Sequence, residues 1–289
     1  MALGKITDIN LARTATLTGG STWSTDLPLT NLTTDDRYVA APSRQLDATD
    51  LESCWFEAEL AAPRAINFLA LLFHTLSLAA RFRLTVRGVG GTWDEPALQT
   101  DWTDVYGRLF DSAALEWEAS NWWTGQITEE EIDLFPRHLW ITPEPVLAAA
   151  VRIEIDDVTH PDGWFDLGGL WIASSWSPAF NYERGRSLTL KARDQVEEGP
   201  SGRRFNEERD PRRQLAVTYA GLTTTEAYRW FDAAARVRVT RPVIFMPDAD
   251  HEPTRVRETF PANFEQPPGP RFTYEHAHQL AATFSEILA

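Results

Sequence analysis

Four tryptophans, Trp93, Trp102, Trp122 and Trp123, fall in stretches with weak periodicity and many turn residues. An exposed indole stacks on the CH face of a sugar ring or anchors a protein interface. These four are therefore the candidate contacts to a glycan or a partner, although most indoles of a Trp-rich domain belong to its core. Other residue sets suggest other chemistry. His276 and His278 share a strand face at period two and could pair on a metal, but no third ligand is evident. Asp156, Asp157, Asp162 and Asp166 in "DDVTHPDGWFD" are oxygen ligands of the kind calcium takes, yet their spacing is not that of a defined loop. They read as a turn with solvated carboxylates. Glu116 and Glu118 could be the carboxylate pair of a glycosidase, but in so acidic a segment chance pairs are expected. The arginines of the Arg203–Arg213 loop are offset by Glu207, Glu208 and Asp210, which favours a protein contact or a solvated loop over DNA. The chain has no Gly-rich phosphate loop, no G-x-S-x-G elbow and no H-E-x-x-H. The expectation is a protein that is not an enzyme, with no catalytic residue, cofactor or bound metal.

The elements that carry these residues divide by composition. Over 289 residues the net charge is −15. Split after Ser175, the first part holds 11 Lys and Arg against 26 Asp and Glu, and the second holds 16 against 16. Eleven of the 12 tryptophans lie at or before Trp176. Surfaces this different indicate two domains, about 1–175 and 176–289, with the boundary near Trp176–Gly185. So acidic a first domain argues against nucleic acid or an anionic membrane as partner. The single cysteine, Cys54, excludes an internal disulfide and reads as a small buried strand residue. The opening "MALGKITDIN" lacks the pattern of a signal peptide. The uncharged stretch 65–80 is shorter than the ~20 residues that cross a bilayer, so no membrane insertion is expected.

The first part reads as strands. "CWFEAEL", "ARFRLTVRG" and "AAVRIEIDD" alternate strictly, with Phe82, Leu84 and Val86 opposed to Arg81, Arg83, Thr85 and Arg87 in the second. One apolar and one polar face suit an antiparallel sheet wetted on one side. "AINFLALLF" is an apolar run of strand length after Pro63, and "HTLSLAA" then connects two strands. Residues 90–145 form a long Trp-rich excursion, of the kind that is usually functional. "TEEEIDLF" within it is a short helix, with Thr128 as cap and Glu131 three residues on.

In the second part "RSLTLKARD" and "RQLAVTYAG" alternate as strands, and the charged run between them is an exposed loop or hairpin tip. Thr223 and Glu226 have capping-box spacing before a helix at about 224–236. Ala227, Trp230, Phe231 and Ala234 form its expected core face. Three further strands follow. The order suggests a small β-barrel or sandwich with one packed α-helix.

Two stretches, taken together, resemble known families. "DLPLTNLTTDDRYVAAPSR", followed by residues 54–88, resembles the opening of discoidin-type, galactose-binding-like jelly-roll domains. His74 and Leu76 fit that pattern, and Thr75 stands where Asn is usual. "VRIEIDDVTHPDGWFDLGGLWIASSWSPAFNYERG" is similar to a segment of tail proteins from long-tailed phages. The matching positions are Arg152, Ile153, Ile155, Asp156, Gly163, Gly168, Leu170, Pro178, Asn181 and Gly185, with Leu167 in place of Ile. The strand pairs around "TTTEAYRWFDAAARV" resemble the ring-forming belt domain of phage distal-tail proteins.

The resemblance implies an antiparallel β jelly roll over 1–175 and a tail-ring assembly domain over 176–289. It implies a minor structural protein of a phage tail tip, located in the virion. Its partners would be the tail tube and hub, further copies of itself in a ring, and a cell-surface glycan. The alternative is a free-standing glycan-binding adhesin, or the accessory module of a carbohydrate-active enzyme. A carbohydrate-active enzyme is the third reading.

Overall fold

The computed structural model describes residues 3–34, 38–110, 115–117, 121–132, 134, 136–198, 203–273 and 277–288. The chain is mainly β and divides into two compact units. Ile9–Ser175 forms one, and the amino-terminal segment up to Asp8 joins Trp176–Leu288 in the other. The sequence reading placed residues 1–8 with the first domain. Strand β1 (Lys5–Thr7) instead pairs with a strand some 240 residues away, and Ile6 exchanges backbone hydrogen bonds with Trp176 at 2.9 and 3.0 Å. A three-residue strand has too little periodicity to reveal such a partner.

The Ile9–Ser175 unit is an antiparallel jelly-roll sandwich of β2 (Thr16–Gly19), β3 (Ser43–Gln45), β4 (Trp55–Ile66), β5 (Phe68–Leu72), β6 (Arg81–Arg87), β7 (Leu98–Gln99), β8 (Thr103–Asp104), β9 (His138–Ile141), β10 (Val146–Asp156), β11 (Phe165–Leu167) and β12 (Gly169–Ala173). One sheet runs β2-β4-β10-β6-β7 with β8 also on β6, another runs β12-β5-β9, and β11 pairs β3. Period-two alternation sets the inward face. Phe56 and Ala58, Leu84 and Val86, and Val151, Ile153 and Ile155 meet Leu69, Leu71, Leu139, Ile141 and Ile172 in one core. The strand expected to begin after Pro63 is divided differently: β4 continues through Pro63 to Ile66, and Asn67 separates it from β5 in the other sheet. The β4–β10 register shifts between Ala148 and Ala150, opposite this stretch. A proline within such an irregularity removes no ladder hydrogen bond. Gly168, between β11 and β12, is required by close approach: a Cβ there would lie 2.7 Å from the Tyr38 carbonyl oxygen.

Cys54 is fully buried in this core, with Gln45 Nε2 3.5 Å from its sulfur, and burial pushes its thiol up to about 11.

The second unit is built on one curled antiparallel sheet, ordered β1-β17-β18-β19-β16-β13. Its strands are β13 (Ser187–Lys191), β16 (Arg212–Leu222), β17 (Val243–Met246), β18 (Pro261–Phe264) and β19 (His278–Glu286), and β14 (Gln195–Glu198) and β15 (Arg204–Glu207) form a separate two-stranded hairpin. Besides α1 (Glu129–Ile132) of the sandwich, the helices are α2 (Thr224–Val237) and α3 (Glu252–Glu258). Helix α2 lies against β16, β18 and β19. The Thr223–Glu226 capping box is formed at its start. Ala227, Trp230, Ala233, Ala234 and Val237 are buried, but Phe231 is 55% exposed. At about 100° per residue, Trp230, Ala233, Ala234 and Val237 centre the buried stripe to one side of Phe231. Ala227, Trp230 and Ala234 of the expected core face are thus buried, and only Phe231 belongs to the surface.

Candidate functional site

The four tryptophans singled out in the sequence separate into two places. Trp93, from the β6–β7 connection, lies partly buried over Arg152 at 4.6 Å and Arg87 at 5.3 Å. Trp102, between β7 and β8, covers Arg83 at 5.0 Å and is 39% exposed. Both sit on the outward face of β4, β10 and β6. Trp55 also lies against Arg152, at 4.9 Å. The same face pairs Arg83 with Glu154 through two 2.7 Å hydrogen bonds, Arg152 with Glu57, and Arg87 with Glu59. The bond from Glu154 keeps the Arg83 guanidinium still more firmly protonated. The polar alternation of the three strands thus builds a ladder of stacked, ion-paired arginines.

Trp122 and Trp123 lie elsewhere, in the turn before α1, and they bring in Trp117, which the sequence reading did not single out. Trp117 and Trp122 have ring centroids 4.6 Å apart, and Trp122 and Trp123 are 4.5 Å apart with planes at 87°. Trp117 is 73% and Trp123 79% exposed. Exposure this large for adjacent indoles is unusual, since each leaves much of its apolar area in water. The signal in the sequence was "EWEASNWW", an indole between two carboxylates five residues before a pair.

Beside these indoles is an open cleft of about 470 Å³ lined by Leu78, Asn121, Thr124, Gln126, Thr128 and Glu130 among others. The turn that shapes it is well tied. Gly125 adopts φ 64, its N–H donates to the Asn121 carbonyl at 2.7 Å, and its own carbonyl accepts from Leu109 and Phe110. Asn121 Nδ2 donates to the Gln126 carbonyl at 2.8 Å, and Gln126 Nε2 to that of Tyr106 at 2.9 Å. Thr128 N–H and Oγ1 each donate to Glu131 Oε2 at 3.2 Å, which is the glutamate half of a capping box at the start of the short helix. The lining combines amides, hydroxyls and a carboxylate with the apolar Leu78 and Ile127, and the indoles stand on adjoining residues outside it. Exposed indoles can stack a pyranose ring, and such polar groups can bond its hydroxyls in both directions.

The other candidates fall apart as sites. Of the four aspartates of the 156–166 segment, Asp162 is exposed, as expected of a solvated turn, and the other three are engaged separately. Arg81 pairs with Asp156, Ser77 N–H donates to Asp157 at 2.9 Å, and Arg44 makes a bidentate pair with Asp166 at 2.7 and 2.8 Å. Among the described residues no three metal-ligating side chains come together. His278 is buried, with Nε2 2.9 Å from Thr224 Oγ1, and His276 lies outside the described residues. Glu118, the second member of the proposed carboxylate pair, also lies outside them. Of the Arg203–Arg213 stretch, the first part forms β15, which pairs with β14. Arg213, expected in an exposed loop, is 1% exposed and paired with Glu286.

No family model and no curated protein matches the chain. Among solved structures it is similar to a chitosan-binding module derived from a chitosanase/glucanase of Paenibacillus sp. IK-5. That match has 15% identity and a TM-score of 0.35, and covers 57% of this chain and 99% of that one. A carbohydrate-binding module from a family 31 glycoside hydrolase of Clostridium perfringens matches at 13% identity and a TM-score of 0.36, over 57% of this chain and 97% of that one. A fucose-binding module of Streptococcus pneumoniae matches at 8% identity and a TM-score of 0.36, over 57% and 94%.

Proposed function

We propose that the Ile9–Ser175 unit binds glycan at the cleft beside Trp117, Trp122 and Trp123. The observation that carries this is a pair of indoles left 73% and 79% exposed, both packed on Trp122, in a loop whose Asn121 and Thr124 line a cleft. Solvent-facing indole area costs free energy in the free protein, and a stacked sugar ring recovers it. The role is binding without turnover. The test is a glycan array with the full chain, repeated with Trp123→Ala. Binding should fall at least tenfold in the variant at an unchanged melting temperature, because this side chain supports no core. No retained glycan on the parent chain would reject the reading, and turnover of a bound polysaccharide would reject the non-enzymatic part of it.

A second element of the proposal concerns the other unit, which we assign to assembly. Its strands β13, β14 and β15 have no buried residue at all. Strands exposed on both faces are suited to pairing with another chain. The resemblance of the sequence to tail-tip proteins of long-tailed phages supplies the setting. The protein would be a minor component of the virion tail, associated with the tail tube, the hub and further copies of itself, with the sandwich contacting a cell-surface glycan. Labelling of intact tails with an antibody to this chain tests the setting. Absence of the chain from purified particles would remove it.

A further inference from the structure

We infer that Tyr106, which does not line the cleft, is a positioning residue for its ligand: it straps the two walls together and so sets the spacing that a glycan meets. This rests on the glycan reading above. The walls come from separate parts of the chain. Leu78 belongs to the connection between β5 and β6, whereas Asn121, Thr124, Gln126, Ile127, Thr128 and Glu130 belong to the turn before α1 and to its first residues. Among the described residues no hydrogen bond joins the 73–80 connection directly to the 121–130 wall. The segment 105–110 joins them instead. On one side, Val105 N–H donates to the Ala80 carbonyl at 2.9 Å and Tyr106 Oη to the Leu76 carbonyl at 3.2 Å. On the other, the Tyr106 carbonyl accepts from Gln126 Nε2 at 2.9 Å, and Leu109 and Phe110 N–H donate to the Gly125 carbonyl at 2.7 and 2.8 Å. Tyr106 therefore bonds to both walls, through its side chain to one and its backbone to the other.

The turn of the second wall is shaped to this strap. At Gly125 a Cβ would lie 2.5 Å from the Phe110 carbonyl oxygen and 2.7 Å from Arg108 Cγ, so the turn closes against the strap only with glycine there. The first wall, by contrast, is held without Tyr106. Arg137 Nη1 lies 3.4 and 3.5 Å from the Thr75 and Leu76 carbonyls, and Ser77 N–H donates to Asp157 at 2.9 Å. Losing the Tyr106 hydroxyl thus leaves the Leu76 carbonyl a donor and the core intact, but it unties the second wall from the first. The strap also orients a lining group. With Nε2 of Gln126 given to the Tyr106 carbonyl, Oε1 is what that amide offers a sugar hydroxyl. A ligand entering walls already held in place loses less free energy to ordering them.

The experiment compares the full chain with Tyr106→Phe and Gly125→Ala. Amide hydrogen exchange reads the strap, and calorimetric titration with the β-1,4-linked hexamers of glucose and of N-acetylglucosamine reads the cleft. In Tyr106→Phe the amides of Leu109, Phe110 and Gly125 should exchange together about fivefold faster, the worth of one neutral hydrogen bond, while Val151 and Ile153 of the sandwich core keep the parent's rates. Affinity for whichever hexamer the parent binds should fall by a similar factor, and further in Gly125→Ala. Tyr106→Phe adds no atom and opens no cavity, so it decides alone if Gly125→Ala does not fold. A merely structural tie would lower the melting temperature and leave the affinity of the folded chain unchanged. That result, or unchanged exchange at the three amides, would overturn the inference and leave the glycan reading standing. A parent chain that binds neither hexamer nor any glycan of the array would remove the glycan reading and the positioning role with it.

Discussion

Arg213 and Glu286 form an ion pair sealed inside the second unit, their side chains 2% and 1% exposed. Arg213 N–H and Nε donate to the two carboxylate oxygens of Glu286 at 2.9 and 3.0 Å, and Nη1 reaches the carbonyls of Val256 and Arg257. The pair ties β16 and β19 to the end of α3. Removing one member leaves the other charge buried without its partner, which costs about 3–5 kcal/mol. Glu286→Ala should therefore unfold this unit at markedly lower denaturant. Replacing both residues by apolar side chains of similar volume should recover most of the loss. Chemical denaturation of the two variants checks this, and a Glu286→Ala chain as stable as the parent would contradict it.

His74 should make the sandwich acid-sensitive. It is buried, neither ring nitrogen has a hydrogen-bond partner among the described residues, and Tyr106 stands edge-on at 5.8 Å. Burial, and secondarily the Arg137 charge, lower its pKa from 6.5 to about 3. The unfolded chain therefore takes up a proton below pH 6.5 that the folded chain refuses until about pH 3. Stability from this group is present above the unfolded pKa and is lost as pH falls through that window, by an amount on the order of a few kcal/mol. Melting temperature against pH should slope downward between about 6.5 and 3, and His74→Leu should flatten the slope. An unchanged slope would assign the acid sensitivity to other groups.

Arg238, the residue after α2, has φ 56 and ψ −136. A side chain in that conformation is strained by about 1–3 kcal/mol, and glycine is not. Arg238→Gly should raise the stability of the second unit by about 1 kcal/mol, because the gain is partly offset by the greater freedom of the unfolded chain. Thermal unfolding of the variant measures this directly.

Local pattern carried much of the architecture. The alternation in "ARFRLTVRG" and "VRIEID" gives the two faces of β6 and of β10 beyond its register shift at Ala148–Ala150, because side-chain direction in a regular strand depends only on parity. The Thr223–Glu226 box marks the start of α2 because the capping bonds are local. What depended on distant partners was not legible. Nothing near Lys5–Thr7 points to β17, and nothing near Arg213 points to Glu286, 73 residues on. Phe231 shows the limit within a helix: a stripe written from spacing alone is uncertain by one position when alanines surround it. At the candidate site, Trp122 and Trp123 stood out by type. Trp117 and the lining amides did not, because three-dimensional closure of the turn through Gly125 brings them there.

The exposed strands of the second unit lead to a last prediction, about association. In β13, Leu188 and Leu190 pair with Leu215 and Arg213, so they continue the buried face of β16, yet they are 41% and 60% exposed. The apolar side of the sheet runs past the edge of its own core. Beyond it, the β14–β15 hairpin pairs only with itself among the described residues, and its register puts Val196 and Phe205 on opposite faces, 62% and 57% exposed. An isolated two-stranded ribbon is marginal in water, and both of its edges remain open to another strand. Its register sets Glu198 opposite Arg204 within the same ribbon, so a neighbour would meet backbone edges, the β14 edge of one copy on the β15 edge of the next. A repeated head-to-tail contact of this kind closes into a ring or extends as a filament. The parent chain should therefore form oligomers in sedimentation velocity at micromolar concentration, whereas Val196→Asp with Phe205→Asp should sediment as a monomer. Because neither side chain contributes to a core, the double variant should keep the parent's melting temperature under conditions where both are monomeric. A parent chain that stays monomeric up to hundreds of micromolar would reject self-association through these strands.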